Sequence, residues 1–199
     1  MDDVNKTRMI LEMKSIFTTV VSVFLLVAAN MSWSANIGCG STQRWAELDS
    51  ATLCKTGEGN TNGNGSTINT LFGPTWTQQG SNDGSNGTSG FLTTDADSWG
   101  QHVTGTWAID ASFWSLFGEA IISIHVGNGG GSPDHFAWTI ETGATSGTFS
   151  YDKLTGGGGG LSNMKLWSRG APTTVPEPGS IALLGLGLVG LVASRRKQR

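Results

Sequence analysis

Strict alternation of apolar and polar residues marks the middle of the chain. Gly105, Trp107 and Ile109 alternate with Thr104, Thr106, Ala108 and Asp110, and Ala120, Ile122, Ile124 and Val126 alternate with Ile121, Ser123 and His125. A period of two sends successive side chains to opposite faces, so each run predicts a strand with one buried face. Phe136, Trp138 and Ile140 oppose His135, Ala137 and Thr139 in the same way, and 147–151 and 161–167 predict two more short strands. Glycine-rich segments at 127–131 and 156–160 supply turns between them. Five strands with short glycine turns predict a mainly β fold, an antiparallel β-sandwich or jelly-roll-like pair of sheets.

The pattern is weaker before residue 91. Two blocks, TGEGNTNGNGS at 56–66 and QGSNDGSNGTSG at 79–90, read as loops because Gly, Asn and Ser dominate them. Between them Leu71, Phe72 and Trp76 surround Gly73 and Pro74, which predicts at most a short strand through Trp76. Segment 42–53 has Trp45, Leu48 and Thr52 at helical spacing, while 50–54 serves equally as a strand, the reading preferred here.

Both ends carry apolar runs. From Ile16 to Ala29 the chain is apolar apart from Thr18, Thr19 and Ser22, with Lys14 before it and small residues Ser32 and Ser34 after it. That composition predicts a signal peptide over 1–35, cleaved after Ser34 or Ala35. Asp2, Asp3 and Glu12 are unusual in a signal's leading region, which points to Met13 as the start of translation. At the other end, Ile181 to Ala193 are thirteen consecutive residues drawn from Ile, Ala, Leu, Val and Gly. At about 1.5 Å rise per residue they cover roughly two thirds of a bilayer's hydrocarbon core, so 181–194 is a short membrane helix suited to transient residence. Arg195, Arg196, Lys197 and Arg199 follow as a basic stop-transfer cluster on the cytoplasmic side. Pro176 and Pro178 around Glu177 keep the preceding linker, 171–180, extended.

Val175, Pro176, Glu177, Pro178, Gly179 and Ser180, then the glycine-bearing apolar segment, then Arg195, Arg196 and Lys197, closely resemble the PEP-CTERM sorting signal. The resemblance implies export by a bacterium that makes extracellular polymer. It also implies removal of the tail by exosortase, a membrane protease-transpeptidase, after passage through the secretion translocon and signal peptidase. The order of segments in 36–170 is also similar to the ectodomain common among PEP-CTERM proteins: Gly105 to Trp107, Phe113 to Val126, Phe136 to Ile140 and Leu161 to Trp167. This looser likeness implies an extracellular β domain of unassigned activity.

Charge narrows the possible partners. Between Asn36 and Val175 five basic residues face eleven acidic ones, a net charge of −6 with histidine neutral. Nucleic acid requires a basic footprint and is excluded on that ground. The chain has two cysteines, Cys39 and Cys54, and export predicts a disulfide between them. Lipidation of Cys39 is the rival reading, disfavoured by Asn36 and by the distance from the apolar run.

Candidate chemistry is sparse. His102, His125 and His135, with Asp134, are the residues from which a metal or general-base site could be assembled, and at least two would have to converge. His125 and His135 fall on the polar parity of strands that would pair around the turn at 127–133. Asp83, Asp95 and Asp97 offer oxygens that calcium accepts, but turn chemistry accounts for them more simply. No catalytic residue, metal or cofactor is assigned. Trp107 and Trp138 share the parity of core residues, whereas Trp45, Trp76, Trp99 and Trp114 are open to sugar stacking. The expected role is structural or interactive, in an extracellular polymer or biofilm matrix. Carbohydrate binding is the alternative, and a small secreted hydrolase the third reading.

Overall fold

The computed structural model describes residues 35–59, 65–127 and 130–172, all within a compact unit that begins at Ala35. Among the described residues eleven strands form two sheets. The six-stranded sheet has the order β1 (Ile37–Gly40), β2 (Arg44–Leu48), β10 (Ser146–Lys153), β7 (His102–Ile109), β6 (Leu92–Ala96) and β5 (Gly87–Ser89). The five-stranded sheet has the order β3 (Ala51–Gly57), β9 (His135–Ile140), β8 (Glu119–Val126), β11 (Leu161–Arg169) and β4 (Thr77–Asn82). Every pairing is antiparallel. Leu48, Trp107, Phe149 and Tyr151 of the first sheet share one core with Ile122, Ile124, Phe136, Trp138 and Leu166 of the second. Two antiparallel sheets around one core are consistent with the predicted β-sandwich.

The described segments contain more strands than the five predicted after residue 100, and the strand preferred at 50–54 is present as β3. Segment 42–53 is two strands, β2 and β3, joined by a tight turn in which Ser50 adopts φ 59°. Its period is two, with Arg44, Ala46 and Leu48 buried and Trp45 exposed, so the helical spacing of Trp45, Leu48 and Thr52 was coincidental. The block at 79–90 is not a loop throughout. β4 runs to Asn82, the chain turns, and β5 returns from Gly87, with the Asn82 amide donating to Gly87 O (3.0 Å) and Thr94 Oγ1 (2.8 Å).

Two short helices replace predicted extended chain. Helix α1 (Ser66–Phe72) occupies the segment read as at most a strand, and α2 (Phe113–Leu116) precedes β8 where one long strand from Phe113 was expected. A seven-residue apolar pattern does not discriminate helix from strand, and a helix this short is held by its tertiary contacts. Ile68 of α1 packs with Trp76, Ile121, Ala137 and Trp167 on the outer face of the five-stranded sheet. Two cations from that sheet take the C-terminal carbonyls of α1: Lys55 Nζ donates to Leu71 O (2.6 Å) and Arg169 Nη1 to Phe72 O (3.0 Å).

Cys39 and Cys54 form the predicted disulfide. It ties β1, an edge of one sheet, to β3, an edge of the other, across a Cα–Cα distance of 6.1 Å. Trp138 Nε1 donates to Ile37 O (2.8 Å) beside it, so the open end of the sandwich is held by a covalent and a hydrogen bond. Among the described residues no helix is long and apolar enough to cross a membrane. The predicted membrane helix at 181–194, the basic cluster and all but the last residue of the predicted signal peptide lie outside the described residues.

Candidate functional site

His125 and His135 do come together, as direct register partners on β8 and β9. One nitrogen of each ring, Nδ1, is committed to local structure. Gly59 O can only accept, so His135 Nδ1 carries the proton in the 3.0 Å bond between them. Ser162 Oγ spends its hydrogen on His125 O (3.0 Å) and therefore accepts from His125 Nδ1 (2.8 Å). Burial pushes both imidazoles below the ordinary histidine range and keeps them neutral. In His125 the opposing pull of Asp134 is outweighed, and in His135 so are the bond to Gly59 and the charges of Asp134 and Glu58.

The pair does not converge on a common point. A Cβ placed on Gly57 would lie 2.5 Å from His135 Nε2, so the His135 ring leans over β3, the side of β9 opposite His125. His135 is fully buried, which corrects the reading of its parity as a solvated face. His102 lies on the other sheet, where its Nδ1 is 3.0 Å from Asp152 Oδ1. Asp134 is also occupied: Oδ1 accepts from Arg44 Nη1 (3.1 Å) and Oδ2 from the Gly59 N–H (2.9 Å). Burial works to raise the Asp134 carboxyl, but those two donors hold it below its ordinary value. Among the described residues no three His, Cys, Asp or Glu side chains gather as a metal site would require.

The acidic candidates serve turns. Asp97 accepts from the Thr104 N–H and from Thr104 Oγ1, both at 3.0 Å, bonds that pull its pKa down. Asp95 accepts from Asn86 Nδ2 (3.1 Å) and Asp83 from Ser81 Oγ (3.1 Å). The reading of pattern missed Arg44, which is buried and donates from Nη1 to Pro133 O (2.8 Å) as well as to Asp134. Its position directly before the alternating Trp45, Ala46, Glu47 and Leu48 was the available signal.

The tryptophans divide clearly. Trp107, Trp138 and Trp167 are core, and Trp76 is buried with the Arg169 guanidinium 4.4 Å from its ring centre. Trp99 and Trp114 are half-buried against the core and donate to Asn86 Oδ1 (3.0 Å) and Ala144 O (2.8 Å). Trp45 is different: it is 38 % exposed on the outer face of the six-stranded sheet.

The sorting residues Val175 to Ser180 and Arg195 to Arg199 fall outside the described residues, and their assignment rests on sequence. Residues 174–197 match the family model of the PEP-CTERM protein-sorting motif. The tail is a PEP-CTERM sorting motif. The match includes the Pro-Glu-Pro triplet, the apolar segment and Arg195 to Lys197, so the chain carries the mark of an exported, exosortase-sorted protein. The PEP-CTERM motif implies processing by exosortase, itself a membrane protein, and a destination at the cell surface or outside the cell. It covers the tail and does not reach the β domain. No curated protein and no solved structure matches the chain.

Proposed function

We propose that the chain is a structural or interaction protein of the cell surface or of an extracellular polymer matrix, such as a biofilm, and that its β domain acts without catalysis. The sorting motif at 174–197 carries this reading. The Cys39–Cys54 disulfide agrees with an oxidising destination. In this scheme 181–194 holds the precursor in the membrane until exosortase removes it.

The non-catalytic part is supported by how the histidine-bearing face is arranged. The His135 ring is fully buried and leans over β3, away from His125, and Asp134 is shared between Arg44 and Gly59. A general base needs a nitrogen or carboxylate aimed at substrate.

Intact mass of the protein recovered from the producing cell tests the reading. The expected wild-type mass lacks both ends and contains the disulfide, and Glu177→Ala is expected to leave a membrane-held precursor with its tail. Tail removal unchanged by Glu177→Ala would overturn recognition through the triplet. Hydrolytic turnover by the mature protein that His125→Ala abolishes would overturn the non-catalytic assignment.

A further inference from the structure

We infer that the outer face of the six-stranded sheet binds a neutral, hydroxyl-rich polysaccharide, with the Trp45 indole as its stacking platform and Asp152 and His102 as the polar groups beside it. The inference rests on the proposed role in an extracellular polymer and names the chemistry of the partner.

Register places these three residues in a row. Trp45 on β2 is opposite Asp152 on β10, and Asp152 is opposite His102 on β7. Adjacent strands lie about 4.8 Å apart, so the row extends about 10 Å from β2 to β7. The indole lies over β1, on the far side of β2, so a sugar stacked on it leaves Asp152 and His102 to the next sugars of the chain. All three face water: Trp45 is 38 % exposed, and the side chains of Asp152 and His102 are 49 % and 70 % exposed.

Trp45 is also held in place. A Cβ on Gly38 would lie 2.8 Å from its Cζ2 and 3.1 Å from its Cε2, so the indole lies down over β1 where glycine leaves room. Its Nε1 donates to Glu47 Oε1 (3.0 Å), and Glu47 Oε2 accepts from Asn36 Nδ2 (2.9 Å). A flat aromatic face fixed before binding costs little further ordering when a ligand arrives. The apolar C–H face of a pyranose fits such a surface, while its equatorial hydroxyls project toward groups at the ring edge. A carboxylate accepts from hydroxyls, an imidazole donates or accepts, and Ser150 in the next row adds a hydroxyl of its own.

Charge selects a neutral ligand. Among the described strand residues on this face, Glu47, Asp95 and Asp152 are carboxylates and no lysine or arginine accompanies them. A polyanionic polymer would meet repulsion here. The other tryptophans are less suited, since Trp76 is already covered by Arg169 and Trp99 and Trp114 are half-buried against the core.

Native affinity electrophoresis of the mature protein tests this, in gels containing hydroxyethyl cellulose, xyloglucan or a soluble β-1,3-glucan, with polygalacturonate as the anionic comparison. At least one neutral glucan is expected to retard the protein. Trp45→Ala should weaken that retardation about tenfold, the equivalent of roughly 1.4 kcal/mol, and Trp45→Phe should retain part of it. Trp114→Phe should leave it unchanged. His102→Ala, at an exposed position with little bearing on folding, should weaken it severalfold. Absence of retardation by all three glucans, equal retardation by polygalacturonate, or unchanged retardation of Trp45→Ala would each overturn the inference. Intact mass of the same sample separates the two levels: a trimmed protein that no glucan retards loses the ligand but keeps the sorting assignment, and an untrimmed protein that is retarded does the reverse.

Discussion

The two sheets contribute similarly to the core but treat their outer faces differently. On the six-stranded sheet Trp45, Thr104, Thr106 and Thr148 are exposed, and alternation along β7 and β10 is clean. On the five-stranded sheet Ile121, Ser123, Ala137 and Trp167 are fully or almost fully buried, because α1 and Trp76 lie across them. A sheet covered on both sides loses its polar stripe, as buried sheets generally do. The consequence is a division of labour between faces: polar groups on the covered side are consumed in holding the cover, and those on the open side face water even where they bond to one another.

Removing the anchor of the covered face should have the largest effect. Trp167 is fully buried, packs against Ile68 and donates from Nε1 to Ser123 Oγ (2.8 Å). Trp167→Ala leaves a cavity and a buried hydroxyl without its partner, at a cost of about 3–5 kcal/mol in urea denaturation. A loss under about 1 kcal/mol would mean that α1 adds little to the five-stranded sheet. Replacing both Cys39 and Cys54 by serine removes the tie between the two sheets and should cost about 3 kcal/mol, as estimated for a closed loop of about fifteen residues. Equal urea midpoints for the variant and the oxidised wild type would show that the sheets are held at that end by packing alone.

Acidity should also discriminate between the faces. The unfolded chain protonates His125 and His135 near their ordinary value of 6.5, while burial depresses both in the fold. The unfolded state therefore binds more protons as pH falls below about 6.5, and stability that is fully present above that pH is lost on acidification. Each histidine contributes a slope of at most about 1.4 kcal/mol per pH unit. Asp134, whose pKa is lowered, keeps its contribution until pH approaches 3.8, so a comparison of pH 7.5 with pH 5.0 reports the histidines. His135→Asn keeps a donor for Gly59 O and should flatten the dependence, and an unchanged pH profile would contradict the buried, neutral assignment. Smaller again is Lys55→Met, which removes the donor to Leu71 O and the ammonium 4.9 Å from the Phe72 ring centre. A loss of about 1 kcal/mol is expected, with faster amide exchange confined to α1.

Strands whose two faces differ were legible in the sequence. Trp107 and Ile109, or Phe136 and Trp138, appear at the predicted parity because one side of each strand meets the core. The His125–His135 neighbourhood followed from the glycine turn between them, but the direction of the rings did not. It depends on Gly57, a residue of β3 distant in sequence. Helix α1 was missed because Ile68 and Phe72 are placed by Lys55, Ile121, Trp167 and Arg169 rather than by their own spacing. The Trp45, Asp152 and His102 row needs the order β2-β10-β7, a non-sequential pairing that no local pattern encodes. The sorting tail is the opposite case. It is recognised by other proteins as a linear string, so sequence alone identifies it.

The smallest stability effect is expected on the open face, where function should change most. Trp45 is partly in water already, and Trp45→Ala removes contacts to Gly38 and Glu47 without opening a core cavity, so its cost should be about 0.5–1 kcal/mol. Gly38→Ala sharpens the point further. Gly38 has no positive φ, so alanine brings no backbone strain, and the atoms nearest its new methyl group belong to the side chains of Trp45 and Glu47. The indole must lift from the sheet while the fold keeps its stability within about 0.5 kcal/mol. If a flat, preset ring is what recognises sugar, Gly38→Ala should lose retention in the glucan gel although Trp45 is still present. Full retention would show that the orientation of the ring, and with it the contrast between an available face and a consumed one, does not govern recognition.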